Sequence, residues 1–168
     1  GDGAGAVETF RATVAAYPDF HAARLNLGTT LMQRDDLEGA VTVLRGLTTR
    51  DPANALAHYN LGVALKQKDD FAAAERALRR AIQLDRTLAD APFTLGVVLW
   101  QTGRPRDAVD AFRQAIAVRP TYDEAHYMMG IVLRQLGDRE AAMAALREAI
   151  RLRPSSPEPH LGLGELLQ

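Results

Sequence analysis

The stretch Ala57-His58-Tyr59-Asn60-Leu61-Gly62-Val63 decides the fold, because its central Leu-Gly pair returns at a fixed interval. The corresponding pairs are Leu27-Gly28, Leu95-Gly96, Met129-Gly130 and Leu163-Gly164. Each pair follows the previous one by 34 residues, without insertion or deletion. A period of roughly 20 to 50 residues predicts stacked supersecondary units rather than one closed core.

The rest of each 34-residue unit is equally regular when the glycine is numbered as position 8. Complete units then begin at His21, Ala55, Ala89 and Asp123. Apolar residues recur three or four positions apart, which predicts helices. The pattern breaks near positions 14 to 16, where Asp and Gly favour a turn, and at position 32, which is Pro in most units. Each unit is therefore predicted to contain a helix A, a turn and a helix B.

One register accounts for the whole chain. Residues 1–20 are interpreted as a half repeat containing a helix B, and residues 157–168 as a half repeat whose helix A acts as a cap. The complete repeats between them are 21–54, 55–88, 89–122 and 123–156. The predicted fold is an all-α solenoid of antiparallel helix pairs, with about ten helices.

The junction of the second and third repeats departs from the pattern, with Arg86 in place of proline at position 32 and Pro92 at the following position 4. Proline is tolerated in the first turn of a helix, where its missing N–H would have no partner. We therefore expect helix A of the third repeat to start near Asp90 rather than to break.

The pattern resembles the tetratricopeptide repeat (TPR), a 34-residue helix–turn–helix unit with Leu-Gly, Ala and Pro at these offsets. The resemblance implies a right-handed superhelical stack, with helix A lining a concave groove and helix B forming the convex back. It also implies that the protein holds peptide segments of other proteins. The family's tryptophan-like position 4 differs here, which concerns local packing more than the fold. The residues at that position are Arg24, His58, Pro92, His126 and His160.

The same resemblance turns helix A positions 2, 5, 6, 9, 12 and 13 toward the groove, and position 13 carries Gln33, Gln67, Gln101 and Gln135. The candidate peptide-binding residues, at positions 5, 6, 9 and 12, are Asn26, Tyr59, Asn60, Val63, Lys66, Phe93, Val97, Trp100, Tyr127, Ile131 and Arg134. Aromatic side chains bury about 150–250 Å² each, so an exposed row of them would form a patch large enough to mark a binding site. The alternative is that positions 5 and 9 pack mainly against helix A of the next repeat. Position 5 includes Tyr59, Phe93 and Tyr127, and position 9 includes Val63, Val97 and Ile131.

The polar groove residues suggest one mode of peptide binding and argue against another. Asn26 and Asn60 resemble the asparagines by which some TPR proteins bind peptide backbone amides, although Thr94 and Met128 interrupt this ladder. Chaperone-binding TPRs use a basic clamp for a C-terminal carboxylate. Only Lys66 and Arg134 could contribute to such a clamp. They are opposed by Asp90, Glu124 and Glu158.

Composition restricts the remaining function classes. The formal net charge of −1 argues against nucleic acid or a membrane surface as the partner. The absence of cysteine removes disulfides and thiolate chemistry. No apolar run reaches the roughly 18 residues of a membrane span, and Gly1–Ala6 lacks signal-peptide features, so a cytoplasmic location is favoured. Abundant Ala, Arg and Leu with little Lys favour a bacterial source.

No constellation of residues predicts catalysis, a cofactor or a small-molecule substrate. Asp123-Glu124-Ala125-His126 spells a helicase motif, but the phosphate loop that it requires is missing from the sequence. His58, His126 and His160 share position 4. Packed helices lie about 8–10 Å apart, too far for zinc bonds of about 2 Å to a common ion. We therefore expect these histidines to have a packing role.

Position 25 carries a row of arginines, predicted to lie exposed on helix B. They are Arg11, Arg45, Arg79, Arg113 and Arg147. The row could bind an anionic partner, or it could be a solvated face balanced by Glu75, Asp110 and Glu148. A spacing of about 10 Å, similar to the Debye length, favours the solvated face.

The leading hypothesis is a non-catalytic scaffold for protein–protein interaction that takes a peptide or helical segment in its concave groove. The second is a structural module that assembles with itself through its end helices. The third is an accessory domain of a larger enzyme. The expected partner is therefore another protein or a second copy of the chain.

Overall fold

The computed structural model describes residues 3–168, and every regular element in that range is an α-helix. The helices are α1 (Gly3–Ala16), α2 (His21–Gln33), α3 (Leu37–Arg50), α4 (Ala55–Gln67), α5 (Phe71–Leu84), α6 (Asp90–Gln101), α7 (Pro105–Val118), α8 (Asp123–Gln135), α9 (Arg139–Leu152) and α10 (Pro157–Leu167). The predicted all-α fold with about ten helices is confirmed for this range. None of the described helices is long and apolar enough to cross a membrane.

Contacts divide the chain into two compact units, an N-terminal unit that ends at Asp85 and a C-terminal unit, Arg86–Gln168. The N-terminal unit contains α1 to α5, and the C-terminal unit contains α6 to α10. Within each unit, every helix packs against the next one in sequence. The even-numbered helices, which correspond to helix A, also contact one another: α2 with α4, α6 with α8, and α8 with α10.

Glycine at position 8 lets helix A approach helix B of the same repeat. A Cβ atom added to Gly62 would lie 2.6 Å from Cγ of Leu78, and one added to Gly96 would lie 2.6 Å from Cε1 of Phe112. Real Cβ atoms do not approach other atoms this closely, so a larger residue would force the helices apart. Leu78 and Phe112 are themselves fully buried. The recurring Leu-Gly pair is therefore explained by the crossing of the two helices.

The turn between helix A and helix B has the same backbone conformation in each complete repeat. Position 15 is left-handed in all four, with φ values of 63° at Asp35, 59° at Asp69, 75° at Gly103 and 80° at Gly137. Glycine and, to a lesser degree, aspartate tolerate this region. In three of these repeats the residue that follows, an aspartate, caps helix B. The carboxylates of Asp36, Asp70 and Asp138 accept hydrogen bonds from backbone N–H groups in the first turn.

Position 4 is linked to the proline carbonyl six residues earlier. The bonds join Nε of Arg24 to O of Pro18 (3.0 Å), and Nε2 of His58, His126 and His160 to O of Pro52 (3.2 Å), Pro120 (3.0 Å) and Pro154 (3.0 Å). A carbonyl only accepts, so Nε2 carries a proton in each histidine. The three histidines therefore link the first turn of helix A to the loop that precedes it.

The junction of the second and third repeats lacks both partners of this bond, since Arg86 and Pro92 occupy the two positions. Helix α6 begins at Asp90, as predicted, so Pro92 falls in its first turn. Pro92 is buried, and the fixed φ angle of its ring suits the start of a helix.

Among the described residues, no cluster of three or more His, Asp or Glu side chains has the arrangement of a metal site.

Candidate protein-binding surfaces

The candidate residues of the N-terminal unit lie on α2 and α4. Tyr59, Asn60, Val63 and Lys66 share one side of α4, because 3.6 residues complete each helical turn. All four are partly buried, whereas Asn26, on the neighbouring helix α2, is exposed. The structure therefore places an aromatic ring, an amide, an aliphatic group and an amine on the same partly accessible helix face.

The side-chain amides of Asn26 and Asn60 and the amine of Lys66 have no hydrogen-bond or ion-pair partner among the described residues. Neither Asn26 nor Asn60 uses its side-chain amide in a hydrogen bond to another described residue; Asn26 contributes only its backbone carbonyl, which accepts from Thr29 and Thr30. Lys66 likewise forms no ion pair within the described chain, although nearby Lys68 pairs with Glu38. A primary amide donates and accepts simultaneously, so these side chains suit the backbone of an extended peptide.

The candidate residues of the C-terminal unit lie on α6 and α8. Val97 and Trp100 belong to α6, and Tyr127, Ile131 and Arg134 belong to α8; all are partly buried. Nε1 of Trp100 donates a 2.7 Å hydrogen bond to Oε1 of Gln135. The indole is therefore held by a partner within the unit, while part of its ring remains accessible.

Arg134 is neutralised within the same unit. Its guanidinium pairs with the carboxylate of Glu165 on α10. This pairing engages one of the two cations that could have contributed to a carboxylate clamp. Arg134 is better described as a polar edge of the surface than as a free positive charge.

Phe93 is committed partly to the core of the C-terminal unit. Its ring centroid lies 4.9 Å from that of Tyr122 and 5.8 Å from that of Phe112. It packs against a buried cluster that includes Ala89 and Ala125. Of the candidate groove residues, Phe93 is thus the one with the clearest structural duty, and only its remaining exposed edge is available to a partner.

Asp90 has a structural role in the C-terminal unit, rather than the expected role of opposing the cations of a groove. Its carboxylate accepts from the guanidinium of Arg119 at 2.9 Å and from the hydroxyl of Tyr122 at 2.8 Å, while Arg119 lies over the Tyr122 ring. Partial burial raises the pKa of Asp90, but the two donated hydrogen bonds outweigh it and hold this pKa below its ordinary value. Burial and the same hydrogen bond raise the pKa of Tyr122. The network ties α6 to the segment that leads into α8.

The sequence did not predict the partners of Trp100 and Arg134. Gln135 holds the indole of Trp100, and Glu165 neutralises Arg134. Gln135 belongs to a visible row at position 13, with Gln33, Gln67 and Gln101, but the row does not indicate which member has a partner. Glu165 occupies position 9, where the complete repeats carry Thr or an aliphatic residue, and this exception was the available signal.

Comparison with protein families settles the class of this chain. A family model described as a tetratricopeptide repeat matches residues 1–55, 28–89 and 93–166. The chain is a tetratricopeptide repeat protein. The TPR assignment agrees with the helix pairs and with the Gly-to-helix B contacts found in both units. No curated protein matches the sequence.

Solved structures similar to this TPR protein belong to other repeat proteins. The crystal structure of MamA has a TM-score of 0.85 and 30% identity, covering 92% of this chain and 90% of that one. The structure of YrrB, described as a TPR protein with an unusual peptide-binding site, has a TM-score of 0.80 and 19% identity, with coverage of 95% and 82%. The APC/C hetero-tetramer Cut9-Hcn1 gives 0.86 and 19%, covering all of this chain and 34% of that one.

Proposed function

We propose that this TPR protein is a non-catalytic scaffold that binds an extended peptide or a helical segment of another protein through the helix A faces. The observation that carries the proposal is the face of α4, where the amide of Asn60 has no internal hydrogen bond beside the partly buried Tyr59 and Val63. A buried polar group normally has a partner, and an amide beside apolar side chains is suited to receive a peptide.

The chemistry of the surface favours a segment with apolar side chains and an accessible backbone. Asn26 and Asn60 can pair with backbone N–H and C=O groups, which gives affinity without selecting a sequence. Tyr127, Val97 and Ile131 offer apolar area for alternating side chains. Aromatic residues dominate the energetics of such interfaces, so Tyr127 is the expected hot spot of the C-terminal unit. The peptide-binding site recorded for YrrB is a precedent on a similar fold.

Titration of the full chain with a peptide library, followed by tryptophan fluorescence, tests this proposal. Trp100 is the only tryptophan, and it lies among the candidate residues. We expect Asn60→Ala and Tyr127→Ala each to weaken peptide binding by roughly tenfold or more, as hot-spot truncations do. Tyr17→Ala is the matched control, because Tyr17 is 66% exposed and lies outside the candidate surface. Unchanged affinity in both groove variants would contradict the proposal.

Self-association is a second candidate, supported by α10. Leu161 and Leu167 on this helix are 67% and 62% exposed, and a Cβ atom added to Gly164 would meet no atom within 4 Å. In the complete repeats the same glycine faces a leucine or phenylalanine of helix B. Sedimentation equilibrium of wild type and of Leu161→Glu with Leu167→Glu distinguishes the two candidates. A wild type that is monomeric at every concentration would exclude self-association.

A further inference from the structure

An arginine-rich cavity of about 280 Å³ lies within the N-terminal unit, between α3, α4 and α5. Arg45 of α3 and Arg76 and Arg80 of α5 form its rim, and all three are exposed. His58, Leu61 and Leu65 of α4 form its floor, where the two leucines are buried. The cavity is thus a cationic opening over an apolar base.

The positive charge of this cavity is not balanced by the described protein. Arg45 and Arg76 form no ion pair with another described residue, and Arg80 makes only a long contact of 3.5 Å to the amide oxygen of Gln83. No carboxylate lines the cavity. The neighbouring Arg79, in contrast, pairs with Glu75 at 2.8 Å. Three like charges around one opening repel one another, and an anion bound between them would relieve that repulsion.

The repeat frame shows that these arginines are not required by the fold. Arg76 and Arg80 occupy positions 22 and 26, and the fourth repeat has Ala144 and Glu148 there. Glu148 forms an ion pair with Arg151 at 2.7 Å, so the equivalent place in the C-terminal unit carries a carboxylate. The other complete repeats have Thr42 with Gly46 and Asp110 with Gln114 at these positions. The second repeat alone places arginine at both.

The cavity is separate from the candidate peptide surface. His58, Leu61 and Leu65 lie on one side of α4, whereas Tyr59, Asn60, Val63 and Lys66 lie on the other, because successive residues rotate by roughly 100° around a helix. A ligand in the cavity would therefore not compete directly for the peptide-binding face. The cavity offers a second binding function on the opposite side of the same helix.

We propose that this cavity binds a tetrahedral oxyanion of the phosphate type, either free or carried as a phosphorylated side chain on a partner protein. Guanidinium groups match phosphate oxygens through paired N–H donors, which makes arginine the favoured residue for such anions. The volume is slightly below the roughly 300–1,000 Å³ typical of pockets for drug-sized ligands. It therefore suits a single anionic group or one modified side chain rather than a large cofactor.

NMR titration of the full chain tests the proposal with two probes, inorganic phosphate and a capped Ala-phosphoserine-Ala peptide. We expect saturable shifts of the His58 imidazole signals, since this ring lines the cavity. Arg80→Glu and, as an independent variant, Arg76→Ala should each weaken binding by roughly tenfold or more, the effect of losing a charged hydrogen bond. Arg147→Glu is the control, because it changes the net charge as Arg80→Glu does at an exposed arginine outside the cavity.

The results of this titration identify the source of the anion and can also overturn the proposal. Tighter binding of the phosphopeptide than of inorganic phosphate identifies a phosphorylated partner as the source, and equal binding identifies the free ion. Equal weakening by Arg147→Glu and Arg80→Glu would overturn the proposal, because net charge alone would then explain binding. Absence of saturable binding of both probes to the folded wild type would also overturn it. Peptide binding by the groove is measured separately through Trp100, so failure of one proposal leaves the other intact.

Discussion

The indole nitrogen of Trp100 and the side-chain oxygen of Gln135 are joined by a 2.7 Å hydrogen bond between α6 and α8 of the C-terminal unit. The bond fixes the plane of the indole before any partner arrives. A side chain that is already held in its binding orientation loses less conformational entropy on association. Gln135 thus acts as a positioning residue for the largest aromatic group of the candidate surface.

We predict that Gln135→Ala releases the indole. Tryptophan emission should move to longer wavelength as the ring becomes more mobile and more hydrated, and the free energy of unfolding should fall by about 0.5–1.5 kcal/mol. Fluorescence spectra and urea unfolding provide the two measurements. Gln101→Ala, at the same position of the third repeat and also exposed, is the control and should alter neither. An unchanged emission spectrum in Gln135→Ala would show that the bond does not hold the ring in solution.

Two glycines at position 8 should respond in opposite directions to alanine. In Gly96→Ala the new Cβ would lie 2.6 Å from Phe112, which is fully buried and cannot move freely, so we expect a loss of about 1–3 kcal/mol. In Gly164→Ala the new Cβ meets no atom within 4 Å, and alanine favours the helix by about 0.5–1 kcal/mol. Thermal and chemical unfolding should show this contrast. Equal effects in the two variants would refute the crossing argument.

The left-handed position of the turn predicts a second pair of opposite effects. Asp69 has φ of 59° and Gly103 has φ of 75° at the same repeat position. Gly103→Ala should destabilise the fold by about 1–2 kcal/mol, the cost of placing a side chain in this region. Asp69→Gly should be neutral or stabilising by less than about 1 kcal/mol. Glycine relieves the backbone strain at this position, but it also increases the entropy of the unfolded chain, which offsets part of the gain. Urea unfolding of both variants is the measurement, and a stable Gly103→Ala would contradict the prediction.

Acid unfolding should contain a contribution from Asp90. Its folded pKa is below the ordinary value, so the stabilisation is present above the unfolded pKa of about 3.9 and is lost as pH falls through the lower folded value. Asp90→Asn should therefore be less stable than wild type near neutral pH, and the difference should shrink below about pH 4. Asp110→Asn removes an exposed partner of Arg113 and serves as the control. A difference that does not change with pH would exclude the ionised carboxylate as its source.

The sequence predicted the parts of the fold that one repeat determines by itself. The contact of Gly62 with Leu78 lies within one helix pair, and the start of α6 at Asp90 lies within one repeat. A 34-residue pattern therefore contains the residues that determine each of them. The turn that contains Asp69 and Gly103 was predicted for the same reason, and the structure adds that both residues have a left-handed backbone. These features depend on residues close in sequence and on backbone geometry common to all repeats.

The repeat pattern did not predict the side-chain contacts between neighbouring repeats. Trp100 with Gln135 and Arg134 with Glu165 join residues 31 to 35 positions apart, and their pairing depends on rotamers that a repeat frame does not specify. The predicted row of arginines lies at position 25, whereas the cavity combines Arg45 from that row with Arg76 and Arg80 from positions 22 and 26. The three arginines come from different positions of two adjacent repeats, so no single repeat position contains the cavity.

The bond between position 4 and the preceding proline carbonyl has a consequence for recombination and protein engineering. In Pro52–His58, as in Pro120–His126, the donor and acceptor belong to different 34-residue repeats but to one seven-residue segment. A repeat transplanted with its boundary inside that segment would lose the bond, while a boundary placed before the proline would carry it intact. The natural cassette for exchanging repeats in this protein therefore begins at position 32 rather than at the first residue of helix A.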